Sequence, residues 1–161
     1  MVGRVSGHQN IHDFLTLSGN RLSIFYLIEG KSLKILILED DSALRFALTE
    51  ILEDAGHLAF AAASIPAACE ILNQVTPDLL LLDLMIGPIA SIQVADLAGY
   101  RAPGAEVIYV TGSNKFPNGE LFQLSRNASW VLRKPVDFRE LKSIIAHFDN
   151  ASFAQPMALV S

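Results

Sequence analysis

The chain has 161 residues, 51% of them hydrophobic and 18% charged, with a net charge of −5. That is enough apolar material to bury one domain core, and far from the composition of a disordered chain. The acidic balance argues against nonspecific nucleic-acid binding, and no apolar run nears the roughly 20 residues of a membrane span.

A single cysteine, Cys69, permits neither an internal disulfide nor a cysteine-cluster metal site. Residues 1–20 are polar and lack the apolar centre of a signal peptide, so a reducing cytoplasmic location is the default expectation. "IHDFLTL" suggests a helical turn and "LSIFYLI" a short strand, both ahead of the regular pattern that begins near residue 33.

"KILIL" (34–38) is a short apolar run bounded by polar residues, the pattern of a buried strand. "EDDS" follows. Leu44, Ala47, Leu48, Ile51 and Leu52 then recur at helical spacing, and Gly56 is the stop. "LAFAA" (58–62) is the second strand. Ser64 can cap a second helix, with Pro66 in its first turn and Ala68, Ile71 and Leu72 on the inner face. "TPD" breaks that helix and leads into "LLLLD" (79–83), a strand that ends on a carboxylate. A weaker helix follows at "IQVADLAG", then a strand at "EVIYV" (106–110) and a loop rich in Gly, Asn and Pro. "GELFQLSR" reads as a short helix and "SWVL" (129–132) as the fifth strand. The last helix begins at Asp137 with Glu140 three residues on, a capping-box pattern, and carries Leu141, Ile144, Ile145 and Phe148 as its apolar stripe.

Five strands alternating with five helices imply right-handed βαβ units, and so an α/β fold with a parallel sheet covered on both faces. Ligands of such sheets bind beyond the carboxyl ends of the strands. Glu39, Asp40 and Asp41 follow strand one, Asp83 ends strand three, Thr111 follows strand four and Lys134 follows strand five. A burial-prone cluster of carboxylates repels itself unless a hard divalent cation such as Mg²⁺ joins it. With a lysine and a hydroxyl nearby, such a pocket can hold a phosphoryl group, one carboxylate acting as nucleophile.

"ILILEDDSALR", "PDLLLLDLM", "VIYVTGS" and "VLRKPVD", in this order and spacing over roughly residues 33–148, closely resemble the receiver domain of bacterial two-component response regulators. The resemblance implies a flavodoxin-like (βα)5 three-layer sandwich with a central five-stranded parallel sheet. It implies that Asp83 accepts a phosphoryl group from a sensor histidine kinase or a histidine phosphotransfer protein. Glu39, Asp40 and Asp83 would hold Mg²⁺ together with the main-chain carbonyl of Met85, Asp40 being the more direct ligand of the acidic pair. Thr111 matches the switch hydroxyl and Lys134 the lysine that pairs with the phosphoryl group. Pro135 would follow Lys134 through a cis peptide bond. Gly112 would leave the donor room to enter. The receiver would occupy residues 33–149, between an extension at 1–32 and a tail at 150–161.

Two departures stand out. "DLMIGPIASIQVADLAG" lacks the family's common proline-then-glycine pattern after the phospho-acceptor and reads like short stand-alone receivers with S-x-x-V-A-D here. The aromatic switch position, three before the lysine, is Val131, with Trp130 beside it; a displacement of one residue turns a strand side chain to the other face. Asp41 reads as a solvated helix-start residue rather than a ligand, Trp130 as a core residue rather than the switch, and Cys69 as a small core residue. His8, His12, His57 and His147 show no metal-ligand spacing.

With about a dozen residues after the last helix, the expected output is by contact with another, unidentified protein, a homodimer being one arrangement. No nucleic acid or membrane is expected as partner, and no catalysis beyond the protein's own phosphorylation and dephosphorylation. A phosphorylation-independent receiver-like adaptor module is the alternative. A flavin or nucleotide enzyme would want a Gly-rich loop after strand one, where "EDDS" repels phosphate. An aspartyl phosphatase would want a second aspartate where Met85 stands.

Overall fold

The computed structural model describes residues 32–112 and 127–151. The helix expected at "GELFQLSR", the readings of "IHDFLTL" and "LSIFYLI", and the residues of the C-terminal tail beyond 151 lie outside those residues.

Strand β1 (Lys34–Leu38) leads into helix α1 (Ser42–Asp54). Asp41 is its N-cap: it has extended backbone angles, and its side chain accepts the Leu44 N–H at 2.7 Å. That satisfies one of the otherwise orphaned amides of the first turn. Gly56 (φ +88°) ends the segment with a left-handed residue, a conformation glycine adopts without steric cost. Strand β2 (Leu58–Ala62) and helix α2 (Ile65–Gln74) follow; Ser64 caps α2 by accepting the Ala67 N–H at 3.4 Å.

Strand β3 (Leu79–Asp83) is buried along its whole length. Between it and the next helix lies a feature that the sequence pattern did not announce. Met85–Ile86 (β4) and Ile89–Ala90 (β5) form a small antiparallel hairpin turning at Gly87 (φ +57°) and Pro88. A glycine with positive φ at the first position of a two-residue loop suits the right-handed strand twist. Helix α3 (Ile92–Arg101) comes next, two residues longer than the "IQVADLAG" pattern. Strands β6 (Glu106–Thr111) and β7 (Ala128–Arg133) and helix α4 (Phe138–Ala151) complete the described chain. Asp137 precedes α4 and accepts the Arg139 N–H at 2.8 Å.

The five long strands form one parallel sheet in the order β2-β1-β3-β6-β7, with β1 and β3 as neighbours and the chain reversing direction of travel between them. Strand alternation divides the core in two. Leu36, Leu38, Leu80, Leu82, Val107 and Tyr109 face α2 and α3. Ile35, Ile37, Leu79, Leu81, Ile108, Val110 and Leu132 face α1 and α4. Each fully buried leucine or isoleucine contributes about 1.5–3 kcal/mol relative to exposure, so the two apolar layers hold the sheet rigid. This is the flavodoxin-like α/β sandwich, and its switch point lies between β1 and β3.

Candidate functional site

The alternation that points Ile35 and Ile37 toward α1 and α4 carries on, past the end of β1, to Glu39. The same parity carries Leu79 and Leu81 to Asp83, and Leu132 to Lys134. Three charged residues from distant parts of the chain are thereby delivered to one end of the sheet by strand register alone.

They meet. Lys134 Nζ lies 2.7 Å from Asp83 Oδ2 and 2.8 Å from Glu39 Oε2. Glu39 is 1% exposed and Asp83 7%. Asp83 Oδ1 accepts the Met85 N–H at 3.0 Å, so both carboxylate oxygens are held. Asp40 is exposed, and its Oδ2 accepts the Gly87 N–H at 3.1 Å. One carboxylate oxygen from each of Glu39, Asp40 and Asp83 lies within 4.8 Å of the others. The hairpin turn thus reaches back across the site to the loop after β1.

The electrostatics are lopsided. Burial pushes the Glu39 carboxyl above its ordinary range; the hydrogen bond from Lys134 opposes this, and the nearby Asp83 charge adds to it. Burial works against the Lys134 ammonium, but its hydrogen bonds to Asp83 and Glu39 outweigh that and hold its pKa above the ordinary lysine value. The lysine gains two acids. The glutamate gains one cation, loses its water and faces a like charge. Three carboxylates share one bridging ammonium, so the cluster stays net acidic and offers oxygen ligands to a cation.

The other residues singled out in the sequence fall as follows. Thr111 is buried at the end of β6, and its carbonyl accepts the Lys134 N–H at 3.0 Å. Gly112 follows; a Cβ there would lie 3.7 Å from that of Lys134, an ordinary contact. The Lys134–Pro135 peptide is cis. Val131 is half-buried, aligned with Tyr109 and packed with the α2/α3 layer. Trp130 is not the core residue expected: it has the opposite parity on a strand at the sheet's edge, is 41% exposed, and meets His147 of α4 edge-on with ring centroids 6.5 Å apart. Asp41 caps α1 and stands outside the carboxylate cluster.

Sequence reasoning missed several contributors. The Gly87 and Met85 amides are main-chain donors and leave no side-chain signature. The hairpin that presents Gly87 had a trace in "IGPI", a Gly-Pro pair between isoleucines, but its strands are only two residues long. Tyr109, fully buried two residues before Thr111, is an aromatic beside Val131 that strand parity could have flagged.

A doubly wound parallel sheet with a lysine-bridged carboxylate cluster at its switch point defines a class: an acidic, cation-ready pocket on a flavodoxin-like sandwich. The model of the response regulator receiver domain matches residues 35–146, and the chain belongs to that family. It is similar to sporulation initiation phosphotransferase F of Bacillus subtilis strain 168, at 26% identity over 117 residues, covering 71% of this chain and 92% of the relative. Among solved structures it is similar to a CheY-like receiver domain protein from Methanospirillum hungatei JF-1, at 26% identity and a TM-score of 0.67, over 78% of this chain and 100% of that one. The response regulator TrrA of Thermotoga maritima, solved in complex with Mg²⁺ and BeF, shares the fold at 23% identity and a TM-score of 0.62, over 71% of this chain and 97% of that one. Among the described residues no helix is long and apolar enough to cross a membrane.

Proposed function

We propose that this receiver accepts a phosphoryl group on Asp83 from a sensor histidine kinase or histidine phosphotransfer protein, in a Mg²⁺-dependent phosphorelay, and passes the signal on by protein contact. The observation that carries the reading is the cluster itself: Asp83 buried beside Glu39 and Asp40, with Lys134 Nζ at 2.7 Å. The relative from B. subtilis is named a phosphotransferase and is matched over 92% of its length, which supports a relay role for a unit of this size.

The donor set suits magnesium: three carboxylates, oxygen ligands only. Glu39, Asp40 and Asp83 would hold it, with the Met85 carbonyl as a further ligand. When bound, Mg²⁺ neutralises charge on the phosphoryl oxygens and orients the group for in-line transfer. The chain does the rest. An Asp83 oxygen attacks phosphorus, the O–P bond forms as the P–N bond of the phosphohistidine breaks, and the electron pair leaves with the imidazole. The Met85 N–H holds Asp83 in orientation. Lys134 moves from the Asp83 carboxylate to a phosphoryl oxygen, keeping a cation on the charge that arrives. Thr111 donates its hydroxyl to another phosphoryl oxygen, and Gly112 leaves the entrance open. The new charge then shifts the population of conformers around the loop after β6.

The test uses phosphoramidate, a donor with the same P–N bond. The expected product forms only with Mg²⁺ and is cleaved by hydroxylamine, as an acyl phosphate must be. A hydroxylamine-stable product would place the phosphate elsewhere. A second reading, a phosphorylation-independent adaptor module, draws on Val131: the switch position holds no aromatic, and Trp130 packs on the opposite face. Absence of Mg²⁺ binding would favour it.

A further inference from the structure

We infer that Arg45 of α1 is a positioning residue for the divalent-cation site, acting by holding the main chain of the loop that carries Glu39 and Asp40. The inference rests on the reading of that site as a Mg²⁺-dependent phosphoryl acceptor.

The loop after β1 has a mechanical problem. It must present Glu39 and Asp40 side by side against their mutual repulsion, and past β1 its main chain keeps one tie to the sheet, the Glu39 N–H donating to the Ala62 carbonyl at 3.1 Å. The Arg45 side chain answers it at two successive carbonyls, and its amide makes the ordinary first helical bond. Its Nη1 donates to the Glu39 carbonyl at 2.7 Å and to the Asp40 carbonyl at 3.2 Å. Its own backbone N–H donates to the Asp41 carbonyl at 2.9 Å. The residue is in turn fixed within α1, where its carbonyl accepts the Thr49 hydroxyl at 2.9 Å.

The choice of partners matters. Among the described residues the guanidinium makes no ion pair with the Glu39 or Asp40 carboxylates. It binds their carbonyls and leaves the carboxylate lone pairs to a cation. From the other side, the Gly87 N–H steers the exposed Asp40 carboxylate. Asp40 is therefore held at its main chain by Arg45 and at its side chain by the hairpin. Both bonds come from one nitrogen held in the guanidinium plane; a lysine ammonium, a more strongly hydrated point charge on a stem of different reach, reproduces this only in part.

Positioning and simple electrostatics predict opposite signs. A positive side chain beside a cation site repels the cation, so on charge alone Arg45→Gln should tighten Mg²⁺ binding. If Arg45 positions the ligands, its loss weakens binding, by about tenfold or more, the usual effect of removing a group that orients metal ligands. The experiment is a Mg²⁺ titration by calorimetry of the full chain, as wild type, Arg45→Gln, Arg45→Lys and Arg101→Gln. The last removes a charge from the end of α3 as a control. Carbonyl ¹³C shifts of Glu39 and Asp40 are recorded in parallel.

The expected result is Kd weakened about tenfold in Arg45→Gln and by less in Arg45→Lys, with Arg101→Gln unchanged and only the Arg45 variants moving the two carbonyl resonances. An unchanged or tighter Kd in Arg45→Gln overturns the inference. Should that variant not fold, Arg45→Lys decides on the same sign. If the wild type itself binds no Mg²⁺, the reading of the site fails and the inference goes with it; if the wild type binds and the Arg45 variants match it, only the role of Arg45 fails.

Discussion

Replacing Lys134 with methionine should make stability, metal affinity and phosphoryl acceptance move in three different ways. Methionine keeps an apolar stem of similar length and excludes water, so Glu39 and Asp83 stay desolvated but lose their cation. The ammonium sits 2.7 Å from Asp83 and 2.8 Å from Glu39. Each contact is worth about 6 kcal/mol gross at an effective dielectric constant of ~20. Most of that offsets the desolvation of the ions, and removing one partner of a buried pair costs about 3–5 kcal/mol net. The Lys134 side chain is 26% exposed, so solvent screening lowers the expectation to about 2–4 kcal/mol. The assay is urea unfolding in chelator and again in saturating Mg²⁺. In chelator the variant loses about 2–4 kcal/mol. In Mg²⁺ at about a hundred times Kd it regains at least about 2.7 kcal/mol, because the metal binds the folded cluster and no ammonium now competes for it. Its Mg²⁺ affinity rises while its phosphorylation rate falls by about a hundredfold or more, the usual effect of removing a group that stabilises transferring charge. Because the pKa of Lys134 is raised in the folded state, its stabilising contribution is complete below the ordinary lysine range and is lost only as pH rises through the raised value. The wild-type advantage is therefore flat across neutral pH. A loss under about 1 kcal/mol in chelator, or a variant that gains no more from Mg²⁺ than the wild type, would refute the charge accounting.

Three further outcomes follow from the same geometry. The raised pKa of Glu39 means that its favourable contribution is present below its ordinary carboxylate range and lost as pH rises through the folded value; in chelator, Glu39→Gln should gain on wild type from acid to neutral pH, and saturating Mg²⁺ should reverse the order, as read by thermal unfolding. Asp41→Ala should cost about 1 kcal/mol through the lost cap on α1, while Asp41→Asn costs little, and neither should shift the Mg²⁺ Kd in a titration. Trp130→Ala should leave Mg²⁺-dependent phosphorylation unchanged while lowering the unfolding midpoint, since its ring packs on His147 of α4 and not toward Tyr109.

The fold and the centre of the site were legible because periodicity encodes them. "KILIL" and "LLLLD" show no polar interruption because both faces of those strands are covered, and the parity that buries Ile37 and Leu81 also aims Glu39 and Asp83. Asp41 was separable from Asp40 because a cap needs an acceptor just before the first helical turn, which is its position. Less legible were contacts made by the main chain. The bond from Gly87 to Asp40 joins residues 47 apart through an amide that every residue but proline possesses. Nothing in the sequence singles out Arg45, since its targets are carbonyls. Its position was written in the sequence, four residues after Asp41, but its partners were not.

The central claim is that Asp83 is the nucleophile of a Mg²⁺-dependent phosphoryl acceptor. It is tested most directly by intact-mass spectrometry after incubation with acetyl phosphate, with and without Mg²⁺, on the wild type and Asp83→Asn. The account predicts one phosphoryl adduct on the wild type, lost in chelator and absent from a folded Asp83→Asn. An adduct of equal yield on Asp83→Asn, or none on a folded wild type in Mg²⁺, would contradict it.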